Sequence, residues 1–273
     1  MVVLDGGARR TMMITSVQNP RVKAAAKLRD RTGRNQQRRI IIDGVREISR
    51  ALSAGVKILE LYVLPELCDD ESQRVLATAK HAERLDVVRH VMEKLSFGNR
   101  VEGIVAVAEP PVRELAALKL PADALVAVVE GAEKPGNLGA IVRTADAAGV
   151  AAVLVVDGGT DLYNPNAIRA SLGAIFTVPV CEATSEKALA WLCEERFRVF
   201  AAWVDGAVDY TSVDFRGRTA IVLGSEARGL SEQWRRDDVT GLRLPLLGSV
   251  DSLNLSVTAA VLFYEALRQR QAH

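Results

Sequence analysis

Three short segments of the 273-residue chain carry polar residues of the kind that line ligand-binding loops. The first motif runs from Asn137 to Arg143, the second is Gly224-Ser-Glu226 and the third is Ser252-Leu-Asn254. Each motif follows an apolar run that predicts a buried strand and leads into a segment that predicts a helix. In an open α/β sheet, ligands bind at such junctions, at the carboxyl ends of the strands. We therefore expect the three motifs to converge on a single pocket.

Each polar residue in the motifs also has a purely structural interpretation. Asparagine before a helix is often only a cap, and an isolated arginine is usually solvated. Glu226 could serve as a negative charge at a helix N-terminus, where the helix dipole favours it, and Ser252 and Asn254 could cap the last helix. These interpretations are compatible with a functional role, and a single motif would not decide between them.

The first motif predicts how its own residues are held. Pro135-Gly136 supplies a turn, and Asn137 is expected to cap a helix that begins at about Leu138. Gly149 suits the left-handed position that ends many helices. This arrangement places Arg143 near the first turn of the helix, at the mouth of the strand–helix junction.

In order and spacing, the three motifs resemble those of the SpoU (TrmH) RNA ribose methyltransferases, which belong to the SPOUT superfamily. The resemblance covers the C-terminal part of the chain. The chain departs from the family pattern at Lys134, where an acidic or amide residue is common, and at Leu246, where methionine is usual. Neither departure falls on a residue that the resemblance implies to be catalytic.

The resemblance implies an enzyme that transfers a methyl group from S-adenosylmethionine to a ribose 2′-hydroxyl of RNA. It implies five active-site residues, which are Asn137, Arg143, Glu226, Ser252 and Asn254. It also implies that main-chain groups hold the cofactor at or near Leu223, Gly224, Leu244, Leu246, Ser252 and Leu253. Members of the superfamily tuck the C-terminal segment through a loop as a trefoil knot and pair through this domain, so a knotted homodimer is implied as well.

Arg143 matches an arginine to which a base role has been assigned in the family. Because an arginine is effectively always protonated, we expect Arg143 instead to bind an RNA phosphate and to stabilise the developing alkoxide. Glu226 is expected to orient Arg143, and Asn137 and Asn254 are expected to fix loops and hydroxyl groups. Placement of the reacting groups can contribute ~7–11 kcal/mol, whereas a general base contributes roughly 10²–10⁴-fold, so geometry is expected to dominate.

Cysteine, histidine and apolar residues set limits on the class of protein. The three cysteines, at positions 68, 181 and 193, contain no C-x-x-C pair, and the three histidines have no metal-ligand spacing. No apolar run approaches the ~18 residues of a membrane span, and no apolar segment follows Arg9-Arg10 as it would in a signal peptide. We therefore expect a cytoplasmic protein that uses no metal and does not enter a membrane.

Basic residues are concentrated at the N-terminal end of the chain. Residues 1–50 contain twelve Lys or Arg and four Asp or Glu, whereas the whole chain has a net charge of +1. Such a run can be merely a solvated surface, but an excess this large favours a surface that binds a polyanion. The candidates for RNA contacts are Arg21, Lys23, Lys27, Arg34, Arg38, Arg39 and Arg46.

The pattern of strands and helices predicts an α/β protein of two domains. After a tail at 1–12, residues 13–108 resemble the small ribosomal-protein-like RNA-binding domain of many SpoU enzymes, through Ile42-Asp-Gly-Val-Arg46 and Gly103-Ile-Val-Ala-Val107. A proline-bounded linker covers 109–122, and the SPOUT methyltransferase domain covers 123–273. Strands and helices alternate in this last domain, which predicts a mostly parallel sheet with helices on both faces.

Three local predictions concern how these domains are built. We expect a polar connection around residues 34–39, a helix from Asp69 or Asp70 to Leu85, and a strand from Phe176 to Cys181.

The last predicted helix, from Leu253 to Gln269, carries more apolar surface than one side of a sheet would cover. Its apolar residues include Leu253, Val257, Val261, Leu262 and Phe263. An exposed patch of this kind marks an association site, so we expect a homodimer that pairs through the C-terminal domain. The alternative is that neighbouring helices of the same subunit bury the helix.

Ribosomal RNA is the expected substrate, because the separate N-terminal domain resembles the rRNA-directed branch of the family. A tRNA substrate is the alternative. Two other classes of protein are alternatives to an RNA methyltransferase. Intact motifs argue against a catalytically silent RNA-binding protein, and the lack of a G-x-G-x-x-G or Walker motif argues against a Rossmann-type nucleotide-dependent enzyme.

Overall fold

The computed structural model describes residues 13–98, 101–205, 208–225 and 227–271. The chain divides into two compact units. The first unit extends to Pro111 and also includes Tyr163–Thr177, whereas the second consists of Val112–Leu162 and the chain from Val178 onward. The sequence does not predict that Tyr163–Thr177 belongs to the first unit.

The first unit is built on a four-stranded sheet with the order β1-β4-β2-β3. The elements up to Pro111 are α1 (Pro20–Lys27), α2 (Arg31–Gln37), β1 (Ile40–Asp43), α3 (Val45–Ser53), β2 (Ile58–Val63), α4 (Asp70–Thr78), β3 (Glu83–Asp86), α5 (Arg89–Leu95) and β4 (Ile104–Ala108). Strand β4 pairs antiparallel with β1 and β2, and β2 pairs in parallel with β3. Buried apolar side chains of the sheet, α1 and α5 form a core.

Helix boundaries in the first unit are only partly as predicted. Asn19 caps α1 and Asp69 caps α4, each by accepting a main-chain hydrogen bond of 2.9 Å in the first turn. The prediction that α4 continues to Leu85 is wrong, because the segment around Leu85 forms β3, which pairs with β2 and buries Leu85 in the sheet. The predicted polar connection around 34–39 is also wrong, because most of it lies in α2.

The second unit is built on a seven-stranded, fully parallel sheet with the order β7-β6-β5-β10-β8-β11-β9. The elements from residue 112 onward are β5 (Leu125–Glu130), α6 (Pro135–Ala148), β6 (Ala152–Val156), α7 (Pro165–Ala170), α8 (Ala174–Thr177), β7 (Val180–Ala183), α9 (Ser185–Glu194), β8 (Arg198–Ala202), β9 (Val208–Asp209), β10 (Thr219–Leu223), β11 (Val239–Arg243) and α10 (Leu255–Gln271). The prediction of a mostly parallel sheet is confirmed. Helices α7 and α8 belong to the first unit.

The predicted strand from Phe176 to Cys181 is wrong in its first half. Phe176 lies in α8, where it is buried and its ring stacks on that of Tyr163, with 5.9 Å between the ring centroids. Strand β7 begins only at Val180. Packing of α8 within the first unit therefore overrides the local apolar pattern.

Helix α10 packs against α6 and β10. Leu262 and Phe263 are buried in this packing, so they add nothing to the exposed patch predicted for this helix. Val257 and Tyr264 remain 48% and 51% exposed. No helix among the residues that the structure describes combines the length and the apolar character that crossing a membrane requires.

Candidate functional site

The loops that follow β10 and β11 line one cavity in the second unit, with a volume of about 310 Å³. The end of β8 and the first turn of α10 complete its lining. All six residues that the family resemblance assigns to the cofactor lie on this cavity: Leu223, Gly224, Leu244, Leu246, Ser252 and Leu253. The structure thus brings the second and third motifs together at the carboxyl end of the parallel sheet.

The second motif forms a tight loop whose two ends are paired. The N–H of Ser225 donates to the carbonyl of Gly229 at 3.0 Å, and the N–H of Gly229 donates back to the carbonyl of Ser225 at 2.9 Å. A Cβ on Gly224 would lie 2.3 Å from the carbonyl carbon of Gly229, so only glycine permits this closure. Gly229 also adopts a left-handed conformation, with φ of 67°. Glu226 belongs to this loop but lies outside the described residues.

The second motif does not lead into an α-helix as predicted. The chain instead continues from Leu230 into a single 3-10 turn at Glu232–Trp234. A role for Glu226 as a charge at an α-helix N-terminus therefore has no helix to act on in this part of the described chain.

The third motif enters α10 through a cap. The Asn254 carboxamide oxygen accepts hydrogen bonds from the main-chain N–H and the hydroxyl of Ser256, at 2.9 and 2.7 Å. The Asn254 carbonyl accepts from Val257 and Thr258 at 3.0 Å, which starts the helix. The structural interpretation of Asn254 as a cap is thus confirmed, while Ser252 lies on the cavity.

The first motif is placed differently from the prediction. Helix α6 begins at Pro135, after Lys134, so Asn137 lies in the first turn and is not the cap. Proline fits this first position because its ring pre-sets the helical φ and the missing N–H has no partner there. Arg143 consequently lies more than two turns from the start of the helix, on its exposed side. Gly149 ends the helix with φ of 72°, as predicted.

The first motif is not part of the cavity lining. Asn137, Arg143 and Asn254 are absent from the residues that line it. Arg143 and Asn137 are instead carried by α6, which packs against α10, the helix that Asn254 caps. The structure thus joins the first motif to the third through two packed helices.

Several cavity residues have no counterpart in the sequence prediction, and two of them lie at the end of β8. Trp203 and Val204 follow β8 directly and line the cavity together with the leucines. The Arg235 guanidinium lies over the Trp203 ring, 4.0 Å from its centroid, and is held by Asp205 at 3.3 Å. The signal was present in the sequence, since a tryptophan directly after a strand of a parallel sheet lies at the edge where ligands bind.

The predicted RNA contacts in the first unit separate into two groups. Arg34 is only 4% exposed, and its guanidinium donates to the carbonyls of Leu28 and Arg29 at 2.6 and 2.7 Å. These bonds give Arg34 a structural role, so its assignment as an RNA contact is corrected. The other six lie on the surface or only partly buried: Arg21, Lys23, Lys27, Arg38, Arg39 and Arg46.

Three of those six basic side chains also have acidic neighbours. Arg21 pairs with Glu83 at 2.7 Å, Arg39 lies 3.5 Å from Glu60, and Arg46 lies 2.9 Å from Glu47. The basic surface is therefore partly neutralised within the first unit.

The cavity lining suits S-adenosylmethionine. Leucines and Trp203 offer an apolar surface for the adenine ring, while the hydroxyls of Ser225 and Ser252 can meet the ribose. Asp251 supplies a carboxylate at the same cavity, which can face a positively charged group of the ligand. Among the described residues, no group of three or more His, Cys, Asp or Glu is arranged to hold a metal ion.

Two family models match the chain. The SpoU rRNA Methylase family matches residues 124–264, and the MRM3-like substrate binding domain matches residues 19–106. The chain is 35% identical over 237 residues to the 23S rRNA (guanosine-2'-O-)-methyltransferase RlmB of Bordetella pertussis. This match covers 82% of this chain and 94% of RlmB.

Solved structures agree with the family models. The crystal structure of an RNA 2'-O ribose methyltransferase has a TM-score of 0.83 at 42% identity and covers 94% of this chain and 99% of its own. The SpoU methyltransferase AviRb of Streptomyces viridochromogenes, in complex with the cofactor AdoMet, has a TM-score of 0.85 at 27% identity. The match covers 93% of this chain and 99% of the AviRb chain. With the three motifs and the parallel sheet, these matches identify the chain as a member of the SpoU rRNA methylase family.

Proposed function

We propose that the protein transfers a methyl group from S-adenosylmethionine to a ribose 2′-hydroxyl of ribosomal RNA. The observation that carries this proposal is the single cavity lined by all six residues assigned to the cofactor from the motifs. The names of relatives support the substrate class, since RlmB of Bordetella pertussis acts on a guanosine of 23S rRNA. A ribosomal substrate also suits the match of residues 19–106 to a substrate-binding domain.

The cavity would hold the cofactor through main chain and apolar side chains. When bound, S-adenosylmethionine supplies a methyl group on a positively charged sulfur. Gly224 and Gly229 keep the loop after β10 free of side chains at its narrowest point, so main-chain groups can approach the ligand. Leu246 and Leu253 then exclude water from its apolar part.

Arg143 is proposed to act on the RNA. Its exposed position on α6 leaves the guanidinium accessible to a phosphate group. A cation bound to the RNA there would also stabilise the alkoxide that forms when the ribose hydroxyl loses its proton. Glu226 is proposed to orient Arg143, while Asn137 and Asn254 fix the two helices that carry these motifs.

The two domains are proposed to have separate functions. Residues 13–108 would bind RNA through the exposed lysines and arginines of the first unit, residues 109–122 would link the domains, and residues 123–273 would carry out the transfer. Binding to phosphates releases counterions, so RNA affinity should fall steeply as the salt concentration rises. A substrate of this kind also implies that the protein works in the cytoplasm.

We further propose a homodimer and a knotted backbone. The half-exposed apolar residues Val257 and Tyr264 of α10 support pairing through the second unit. The match to the SpoU rRNA Methylase family supports a trefoil knot, because the SPOUT superfamily that the motifs resemble has this knot.

The proposed function is tested by cofactor titration followed by a transfer assay. Calorimetry should detect binding of S-adenosylmethionine and no binding of NAD, which would separate this activity from that of a Rossmann-type enzyme. Transfer of tritiated methyl groups should then occur to unmodified ribosomal RNA and not to tRNA. Preferential labelling of tRNA would overturn the substrate assignment, and cofactor binding without any transfer would indicate a silent RNA-binding protein.

A further inference from the structure

A buried carboxylate that belongs to none of the three motifs lies beside the cavity loop. Glu130 is the last residue of β5 and is only 6% exposed. Its Oε1 accepts hydrogen bonds from the hydroxyls of Ser185 and Ser231, at 2.7 and 2.8 Å, and from the indole N–H of Trp234 at 3.1 Å. Its Oε2 accepts from the main-chain N–H of Ser231 at 2.7 Å. All four donors are neutral groups, and a buried charge requires such bonds to offset its desolvation.

The donors show which part of the fold the carboxylate holds. Ser231 follows the loop of the second motif and lies two residues after Gly229, which lines the cavity. The start of the same loop also contacts the end of β5, since a Cβ on Gly131 would lie 3.2 Å from the Cβ of Ser225. Glu130 and Gly131 therefore contact the exit and the start of the cavity loop.

We infer that Glu130 is a positioning residue of the cofactor site, which fixes the exit of the 224–230 loop through Ser231 and so sets the main-chain groups that face the cavity. The inference rests on the proposed function for the identity of the ligand. A charged acceptor forms hydrogen bonds roughly twice as strong as a neutral one. Both carboxylate oxygens are needed to satisfy the four donors, because Oε1 accepts from three of them and Oε2 accepts from the Ser231 N–H.

Glu130→Gln removes this arrangement at almost unchanged volume. If the carboxamide oxygen takes the place of Oε1, where three donors converge, the NH₂ group must face the Ser231 N–H. Two donors then oppose each other, and the bond at the loop exit is lost. In the opposite orientation the Ser231 N–H keeps only a neutral acceptor, and the NH₂ group opposes the indole N–H of Trp234, although the two serine hydroxyls can turn to accept from it.

The test combines hydrogen exchange with cofactor titration. In the absence of ligand, peptides covering residues 227–234 of Glu130→Gln should exchange about tenfold faster than in the native protein, since a bond to a buried charge is lost. The affinity for S-adenosylmethionine, measured by calorimetry, should fall by about tenfold. The matched control is Val153→Ala, which truncates a fully buried side chain of β6 in the same unit, outside the core cluster that contains Leu230 and Trp234. This control should lower the melting temperature yet leave both measurements within about twofold of the native values.

Native exchange rates and native affinity in Glu130→Gln would overturn the inference, as would equal losses in Val153→Ala. If Glu130→Gln does not fold, Ser231→Ala replaces it, because it deletes only the hydroxyl bond to the carboxylate. This variant should change both measurements in the same direction by a smaller factor, and unchanged values would overturn the inference. Failure of the native protein to bind S-adenosylmethionine would count against the proposed function, whereas the exchange rates would still decide the role of Glu130.

Discussion

The Arg169 guanidinium lies 3.0 Å from the buried carboxylate of Asp43, although 126 residues separate them in the chain. The same carboxylate oxygen accepts the main-chain N–H of Phe97, and Arg169 also donates to the Phe97 carbonyl at 3.0 Å. Within the first unit, these bonds join three parts of the chain: β1, α7 and the segment that follows α5. They explain how a helix that follows β6 in the sequence is held outside the second unit.

Asp43 should make stability depend on pH. Burial raises the pKa of this carboxyl to about 6, although the Phe97 N–H and Arg169 both act to lower it. Because the pKa is higher in the folded chain than the ordinary value of 3.8, the folded state binds more protons between these two values. The stabilisation is fully present below about pH 4 and is lost as the pH rises through 6.

Urea unfolding of the native protein and of Asp43→Asn between pH 4 and 7 measures this effect. The free energy of unfolding of the native protein, relative to that of the variant, should fall by up to about 3 kcal/mol across this range. Parallel pH profiles for the two proteins would contradict the prediction.

The cofactor loops could be predicted from sequence because their chemistry is local. Gly224 has no room for a side chain, and Asn254 caps a helix through its own neighbours, so each leaves a recognisable residue at a fixed position. The place of Tyr163–Thr177 in the first unit depends on contacts between distant segments, such as that of Arg169 with Asp43, and no local pattern encodes them. Arg34 is held by carbonyls only six and five residues before it, but its residue type does not distinguish a buried arginine from a solvated one. The predictions for the run at 34–39 and for Phe176 are therefore wrong.

Arg143 should be required for transfer and dispensable for cofactor binding. Arg143→Ala is expected to lower the transfer rate by at least about 100-fold, the effect of losing one stabilising donor, while calorimetry gives a native affinity for S-adenosylmethionine. Arg143→Lys should restore little, because an ammonium group does not reproduce the planar fork of a guanidinium. Lys187→Ala, which removes an exposed cation on α9, is the control and should transfer normally. Substantial activity in Arg143→Lys would mean that a point charge is sufficient.

Trp203 should report cofactor binding. It lines the cavity, whereas Trp191 and Trp234 are buried in the core. Addition of S-adenosylmethionine should change the tryptophan emission of the native protein, since the adenine ring enters the environment of Trp203. Calorimetry should show that Trp203→Phe binds the cofactor, whereas its tryptophan emission should no longer change when the cofactor is added. An emission change equal to that of the native protein would place the ligand elsewhere.

Helix α10 should mediate dimer formation through its exposed apolar residues. Val257 and Tyr264 are seven residues apart, so they lie on one face of the helix. Light scattering at micromolar concentration should give a dimer for the native protein and a monomer for Val257→Glu, with a nearly unchanged melting temperature. A native monomer that methylates RNA at this concentration would defeat the proposal.

The chemical position of the transferred methyl group decides whether the protein is a ribose 2′-O-methyltransferase. Purified protein is incubated with S-adenosylmethionine and unmodified ribosomal RNA, and the RNA is then digested to nucleosides for mass spectrometry and separately treated with alkali. A 2′-O-methyl group blocks alkaline cleavage at the modified nucleotide, because the ribose hydroxyl is no longer free. We expect a single 2′-O-methylnucleoside and one alkali-resistant linkage in the RNA. A methyl group found on a base, or none at all in the presence of bound cofactor, would contradict it.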